Sequence, residues 1–343
     1  MAQHFITTTG DYMRTTIRVM RTLALTAGLL TGAISQAATF ANGADVGWVT
    51  QQESSHYSWY NGSGVKTDPF VLLKNLNINA VRLRVWVNPS GGWCDGKDVL
   101  YKAQRAKAQG QRIMVDFHYS DTWADPGHQT KPAAWSNHGI SQLYTDVYSH
   151  TTGILNYLKS NGITVDWVQV GNEINGGMLW PEGSTSNFSQ LAQLINSGYN
   201  GVKAVYPNAP VIVHVANGYD GAKVQWFFDS LRNNGGKFDM VGLSHYPPAN
   251  NWSSYNSQLD QTMHNIVNRY NKPVVISEVG MDWTQAATAK AMLTDVIAKV
   301  KFLGSYGAGV FYWEPEAYPG WQGYTLGATD SGGKFTAAMS AFQ

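Results

Sequence analysis

The 343-residue chain has a single cysteine, Cys94, so no disulfide can close within it and its stability must come from packing. Cys94 sits in the loop-like run Gly91-Gly92-Trp93-Cys94-Asp95-Gly96 and reads as a bystander rather than a nucleophile. An excess of charge of one sign is also missing. Twenty-four Lys and Arg face 23 Asp and Glu, a net of +1, which leaves no basic field for holding a nucleic-acid backbone. Long apolar runs are absent too: the stretch from Thr22 to Ala33 falls well short of the ~20 residues that a membrane span needs. His-Glu-x-x-His, Cys-x-x-Cys, Gly-x-Ser-x-Gly and phosphate-loop motifs are all lacking, so zinc, α/β-hydrolase and phosphoryl-transfer chemistries have no residues to work with.

What the chain does contain is apolar and aromatic: 43% hydrophobic residues with 13 Trp and 18 Tyr, enough for a large folded core. At the N-terminus, Arg14, Arg18 and Arg21 precede the short apolar run, and Ser35-Gln36-Ala37 offers a small-x-small cleavage site. Residues 1–37 therefore read as an export signal, and a start at Met13 would give that signal an ordinary length. Its removal takes away three Arg and one Asp and leaves a net charge of −1. Secretion follows, to the outside or the periplasm, with no membrane attachment after cleavage.

Residues 38–343 show no linker, low-complexity tract or composition break, and one domain is the economical reading. Eight short runs rich in Val and Ile are separated by room for helices: 44–49, 80–87, 112–118, 167–170, 211–215, 240–244, 273–277 and 309–313. Eight βα units in about 300 residues predict a single (β/α)8 TIM barrel. A doubly wound sheet is the alternative, but no Gly-x-Gly-x-x-Gly turn follows the first strand.

In such a barrel, side chains alternate between the interior and the helices, and the C-terminal strand ends carry the chemistry. Parity turns Arg82, Arg84 and Trp86 inward on the second strand, and Asp116 and His118 on the third. Buried guanidiniums and carboxylates need a reason. A polar active-site floor is one; a buried ion pair of Arg82 and Asp116 without catalytic work is another. The fourth strand turns Trp167, Gln169, Gly171 and Glu173 inward, and the seventh turns Val274, Ile276 and Glu278 inward. Two carboxylates facing each other across one barrel mouth suit glycoside hydrolysis, one as proton donor and the other as nucleophile. Trp86, Trp123, Trp180 and Trp313 can offer flat faces to pyranose rings, although any one of them could equally be core. Asp116, Asp121 and Asp125 lack the regular spacing of a calcium loop, and neither a metal nor a cofactor is expected.

Two long segments carry a resemblance. Asp116-Phe117-His118-Tyr119-Ser120-Asp121-Thr122-Trp123-Ala124-Asp125-Pro126 and Gly171-Asn172-Glu173-Ile174-Asn175-Gly176-Gly177-Met178-Leu179-Trp180-Pro181 look like glycoside hydrolase family fifty-three, the arabinogalactan endo-β-1,4-galactanases. Arg82-Leu83-Arg84-Val85-Trp86, His214-Val215-Ala216-Asn217-Gly218-Tyr219-Asp220 and Phe311-Tyr312-Trp313-Glu314-Pro315 extend it over nearly all of residues 44–321. The resemblance implies a retaining TIM-barrel hydrolase with Glu173 as acid/base and Glu278 as nucleophile. It also implies that Asn172 binds the hydroxyl beside the anomeric carbon, that Tyr246 holds the nucleophile, and that Arg84 keeps the nucleophile ionised. Arg84, Trp86, His118, Asp121, Asn172, Trp180, His214, Tyr246 and Trp313 together form the expected substrate-binding set.

Ser277-Glu278-Val279-Gly280-Met281-Asp282-Trp283 departs from the family, where many members continue from the nucleophile with Thr and an aromatic residue. Thr284-Gln285-Ala286-Ala287 leads towards a helix, leaving no room for the calcium-binding insertion of some bacterial members. The expected partner is a polysaccharide, β-1,4-galactan, and the expected state is a monomer. The nearest alternative is another retaining β-1,4-glycanase of the same clan, acting on mannan, xylan or glucan; a carbohydrate-binding barrel without catalysis is a third.

Overall fold

The computed structural model describes residues 39–343; the expected export signal and both candidate start codons lie outside them. Eight parallel strands close into a barrel: β1 (Ala41–Asp45), β2 (Ala80–Val85), β3 (Arg112–Phe117), β4 (Trp167–Val170), β5 (Val211–Val215), β6 (Met240–His245), β7 (Val274–Val279) and β8 (Gly307–Tyr312). Each strand pairs with its chain neighbours, and β8 pairs with β1 to close the ring. Both faces of most strands are buried, so β5 and β7 carry Val and Ile at consecutive positions, while β2, Ala-Val-Arg-Leu-Arg-Val, alternates because its inward positions are buried arginines.

The helices are α1 (Val49–Ser54), α2 (Pro69–Asn75), α3 (Gly96–Ala108), α4 (Ile140–Ser160), α5 (Phe188–Val205), α6 (Gly221–Asn233), α7 (Trp252–Tyr270) and α8 (Ala286–Phe302). Their starts are written in the sequence. Asp68 accepts from the Phe70 N–H with Pro69 at the first helical position, Asp95 accepts from Lys97 and Asp98, and Asp220 accepts from Lys223. Asn271, in the left-handed region at φ 53°, ends α7. After Glu278 the chain passes through one turn, Trp283–Gln285, straight into α8.

The interior of the barrel is layered. Its lower layer is an apolar plug with one side chain from each strand in turn: Ala41, Ala80, Met114, Trp167, Ile212, Met240, Val275 and Phe311. Above it, the next inward positions are polar or charged and equally buried: Asp45, Arg82, Arg84, Asp116, Gln169 and His214. The plug keeps solvent out from below, so the charged layer meets water only at the mouth.

Two expectations are corrected here. The first strand is Ala41–Asp45, not 44–49; Val49 instead opens α1. Its sequence, Ala-Asn-Gly-Ala-Asp, is small because Phe311 fills the space beside it, and a Cβ on Gly43 would lie 2.2 Å from that ring. On β7 the predicted parity is wrong. Val275 is the inward residue in the plug, whereas Val274 and Ile276 pack outward among the helices. Glu278 still reaches the interior because a β-bulge intervenes: the register with β6 jumps from Leu243 opposite Ile276 to Ser244 opposite Glu278. That extra residue, Ser277, resets the alternation.

Candidate active site

The C-terminal strand ends surround a cleft of about 360 Å³ lined by His118, Trp123, Ala124, Asp125, Pro126, Asn172, Glu173, Ala216, Asn217, Tyr246, Glu278, Trp313, Tyr324 and Leu326. The backbone is unusual just beyond several strands. Tyr119, Glu173, Asn217 and Glu314 adopt positive φ of 52°, 46°, 57° and 46°, following β3, β4, β5 and β8. Such conformations cost about 1–3 kcal/mol each and persist where surrounding structure over-determines them.

Arg82 is the hub of the floor. Its guanidinium lies 2.7 Å from Asp45 Oδ2, 2.8 Å from Asp116 Oδ2 and 3.0 Å from Glu278 Oε1. It also donates to Asn172 Oδ1 at 2.7 Å and to Gln169 Oε1 at 3.3 Å. The Tyr246 hydroxyl donates to Glu278 Oε2 at 2.9 Å, so both oxygens of this carboxylate are held. Asn172 is oriented at both ends, accepting from Arg82 and donating to the Ala124 carbonyl at 2.8 Å. Glu173 accepts from the Ser244 hydroxyl at Oε1, 2.6 Å away.

The environments separate the two carboxyls only partly. Burial, followed by the negative charge of Glu278, pushes Glu173 up to about 8. Burial also raises Glu278, to about 7, although Arg82 pulls against it. Arg82 itself is shared with Asp45 and Asp116, so it offsets the cost of burying Glu278 without cancelling it.

Arg84 does not contact Glu278, contrary to expectation; the guanidinium that does is one inward position lower, on Arg82. Arg84 instead pairs with Glu314 and lies 3.5 Å from Asp45. Its guanidinium also sits over the rings of Trp48, Trp86 and Trp123. Glu314 accepts from the backbone N–H groups of Gly47 and Trp48 at 2.9 and 3.0 Å. Burial alone would raise Glu314, but Arg84, Glu316 and these donors bring it down to about 2. Neighbouring Glu316 goes the other way: burial and the Glu314 charge push its pKa well above the ordinary value. Arg84 and Glu314 strap the β1 and β8 loops to β2, and Trp48 lies edge-on against Trp313 and Trp123.

Of the expected substrate set, the structure brings His118, Asn172, Tyr246 and Trp313 to the cleft with both glutamates. His118 is fixed from both sides, its Nε2 donating to Asp116 at 3.0 Å and its Nδ1 accepting from Trp86 Nε1 at 3.1 Å. Trp86, Asp121, Trp180 and His214 do not line the cleft. Trp86 supports His118; Asp121 accepts from the Asn88 and Ala133 N–H groups in the loops; Trp180 donates to the Gly176 carbonyl. His214 is fully buried within the floor, against Asn172 and Ser244. Sequence reasoning gave no role to Asp45, Gln169, Ser244, Glu314 or Glu316, all of which are buried or hydrogen-bonded partners of the residues it singled out. Among the described residues no group of three or more His, Cys, Asp or Glu side chains is arranged to hold a metal ion. A wider surface hollow of about 780 Å³ lies elsewhere, against α1 and α3, and its Arg105 is bound to Glu53 and Asp68.

The fold and the paired carboxylates define the class, a (β/α)8 glycoside hydrolase. The family described as glycosyl hydrolase family 53 matches residues 41–342. A probable arabinogalactan endo-β-1,4-galactanase A of Aspergillus terreus is 34% identical over 307 residues, covering 82% of this chain and 87% of that protein. A solved fungal β-1,4-galactanase superposes with a TM-score of 0.82 at 31% identity, covering 89% of this chain and 99% of that one. The GH53 catalytic domain of Ignisphaera aggregans gives 0.80 at 28% identity, covering 90% and 96%. The chain belongs to glycosyl hydrolase family 53.

Proposed function

We propose that the protein is an exported, monomeric endo-β-1,4-galactanase that cleaves galactan and type I arabinogalactan, the galactan side chains of pectin, with retention of configuration. In this reading Glu278 attacks the anomeric carbon while Glu173 protonates the departing glycosidic oxygen. A galactosyl-enzyme forms on Glu278, and Glu173, now a base, takes a proton from the water that releases the sugar.

The observation that carries this reading is the asymmetric hold on the two carboxyls. Arg82 and Tyr246 grip both oxygens of Glu278 and favour its ionised form, whereas Glu173 has one hydrogen-bond partner among the described residues and the higher pKa. The first proton to leave the pair therefore comes from Glu278, which leaves Glu173 as the acid. Asn172 spends its oxygen on Arg82 and one N–H on Ala124, so its second N–H remains for a substrate hydroxyl in the cleft. Trp123 and Trp313 offer sugar-stacking faces in the same cleft. The choice of galactan rests on the relatives named above and on the two long matching segments.

Reducing-sugar release by the purified mature chain on linear β-1,4-galactan, alongside mannan, xylan and a soluble β-glucan, tests it. Release of short oligosaccharides from galactan alone is expected, and Glu278→Ala should abolish it while galactan still binds. Release from another polymer instead would remove the galactan assignment. Binding without new reducing ends would overturn the catalytic reading.

A further inference from the structure

The Glu173 carboxyl owes its single hydrogen bond among the described residues to a residue outside the expected site. Ser244 lies at the end of β6, buried, with its Oγ 2.6 Å from Glu173 Oε1 and 2.8 Å from His214 Nε2. A hydroxyl has one proton to give, so the direction of this chain matters. His214 is fully buried, and burial followed by the nearby charge of Arg82 keeps its ring neutral, with one N–H. Its Nδ1 faces two donors, the Gln169 amide at 3.1 Å and the Glu173 backbone N–H at 3.4 Å. The third neighbour, Asn172 Oδ1 at 3.0 Å, accepts from Arg82 at 2.7 Å and faces the Gln169 amide at 3.1 Å. The Gln169 amide also faces Asp116 Oδ1 at 2.6 Å, but the Glu173 backbone N–H has no other acceptor among the described residues, so Nδ1 accepts from it and the imidazole proton sits on Nε2. His214 then donates to Ser244, and the serine must pass its own proton to Glu173.

We propose that Ser244, locked by His214, is a positioning residue that occupies Oε1 of Glu173 and thereby assigns the catalytic proton to Oε2. Among the described residues Oε2 has no hydrogen-bond partner, and Glu173 lines the cleft. The inference rests on Glu173 being the acid/base. A donor to the ionised carboxylate lowers its pKa, so Ser244 also keeps the acid from being held too tightly for the second, base-catalysed half of the reaction. The other groups acting on Glu173 are Glu278 on β7, Arg82 on β2, Asp125 beyond β3 and Tyr246 beyond β6. None of them changes when Ser244 is replaced.

The test is the pH dependence of kcat/KM for Ser244→Ala and Ser244→Thr on galactan and on an aryl galactobioside with a good leaving group. The alanine variant should move the alkaline limb to higher pH and lose about tenfold or more on galactan. The loss in forming the glycosyl-enzyme should be smaller with the aryl substrate, and threonine should restore both. An unmoved limb overturns the proposal. So does a downward shift, which would mean that Ser244 accepts from the neutral acid. Ser244→Cys, a similar shape with a weak donor, gives the same readout if the alanine variant does not fold. Glu173→Ala measured alongside separates the two layers. If that variant retains the alkaline limb, the acid/base assignment itself fails; if it loses the limb while Ser244→Ala leaves it in place, only the present inference fails.

Discussion

The two cleft glutamates, proposed above as the catalytic pair, are held by residues that differ in what they leave free. Arg82 and Tyr246 saturate Glu278, while Ser244 occupies only one oxygen of Glu173. Sequence parity put Arg82 and Arg84 inward together, but it could not say which would meet the nucleophile. That depends on height in the barrel: Arg82 is level with Asp45 and opens towards Glu278, whereas Arg84, one pleat higher, is captured by Glu314. Asn172, His118, Tyr246 and Trp313 were legible as site residues. Ser244 and Glu314 were not, because a serine in a strand and a glutamate in a loop carry no signal until their partners are located. The pair predicts the shape of the pH profile. On galactan kcat/KM should fall as pH drops through about 7, when Glu278 takes up its proton, and fall again as pH rises through about 8, when Glu173 loses its own. Initial rates from pH 4 to 10 check this; a profile flat from about pH 5 to 10 would contradict the assignment of limbs.

At the scale of elements, most strands were legible to within a residue or two, because doubly buried parallel strands are dense in Val and Ile. The exceptions have physical causes. β1 lacks that composition because the ring of Phe311 takes its interior volume, and β7 conceals a bulge that no pattern of alternation reveals. Glu278 was thus placed inward by a period-2 argument that fails at Val275 and is restored at Ser277. The β1–α1 loop supplies another test. Gly47 gives its N–H to Glu314, and a Cβ there would lie 2.1 Å from the Arg84 guanidinium, which the rings of Trp48, Trp86 and Trp123 surround. Gly47→Ala should destabilise the fold by about 1–3 kcal/mol, as overpacked cores do. It should also lower activity, because Trp48 backs the cleft residues Trp123 and Trp313. Urea unfolding and galactan turnover measure both, and unchanged values in both would mean that the strap is dispensable.

Across the whole molecule, one barrel separates two duties by height. The apolar plug at the bottom provides stability, and the charged layer above it, buried at a cost in desolvation, supports the cleft with its two glutamates. With only the buried Cys94 there is no cross-link to share the load, so the plug must be well packed. Phe311→Ala would empty the space between Gly43 and Trp167 and should cost about 3–5 kcal/mol, read as a loss of urea stability. A loss below about 1 kcal/mol would show that the plug is not tightly packed. Among the described residues no helix is long and apolar enough to cross a membrane.

The account rests on Glu173 and Glu278 working as acid/base and nucleophile through a covalent galactosyl-enzyme. The measurement that tests it most directly is proton NMR of β-1,4-galactan during the first minutes of cleavage, read before mutarotation sets in. The account predicts that the new reducing ends appear as the β-anomer and only later equilibrate. New ends appearing first as the α-anomer would mean direct displacement by water, and would remove Glu278 from its role as nucleophile.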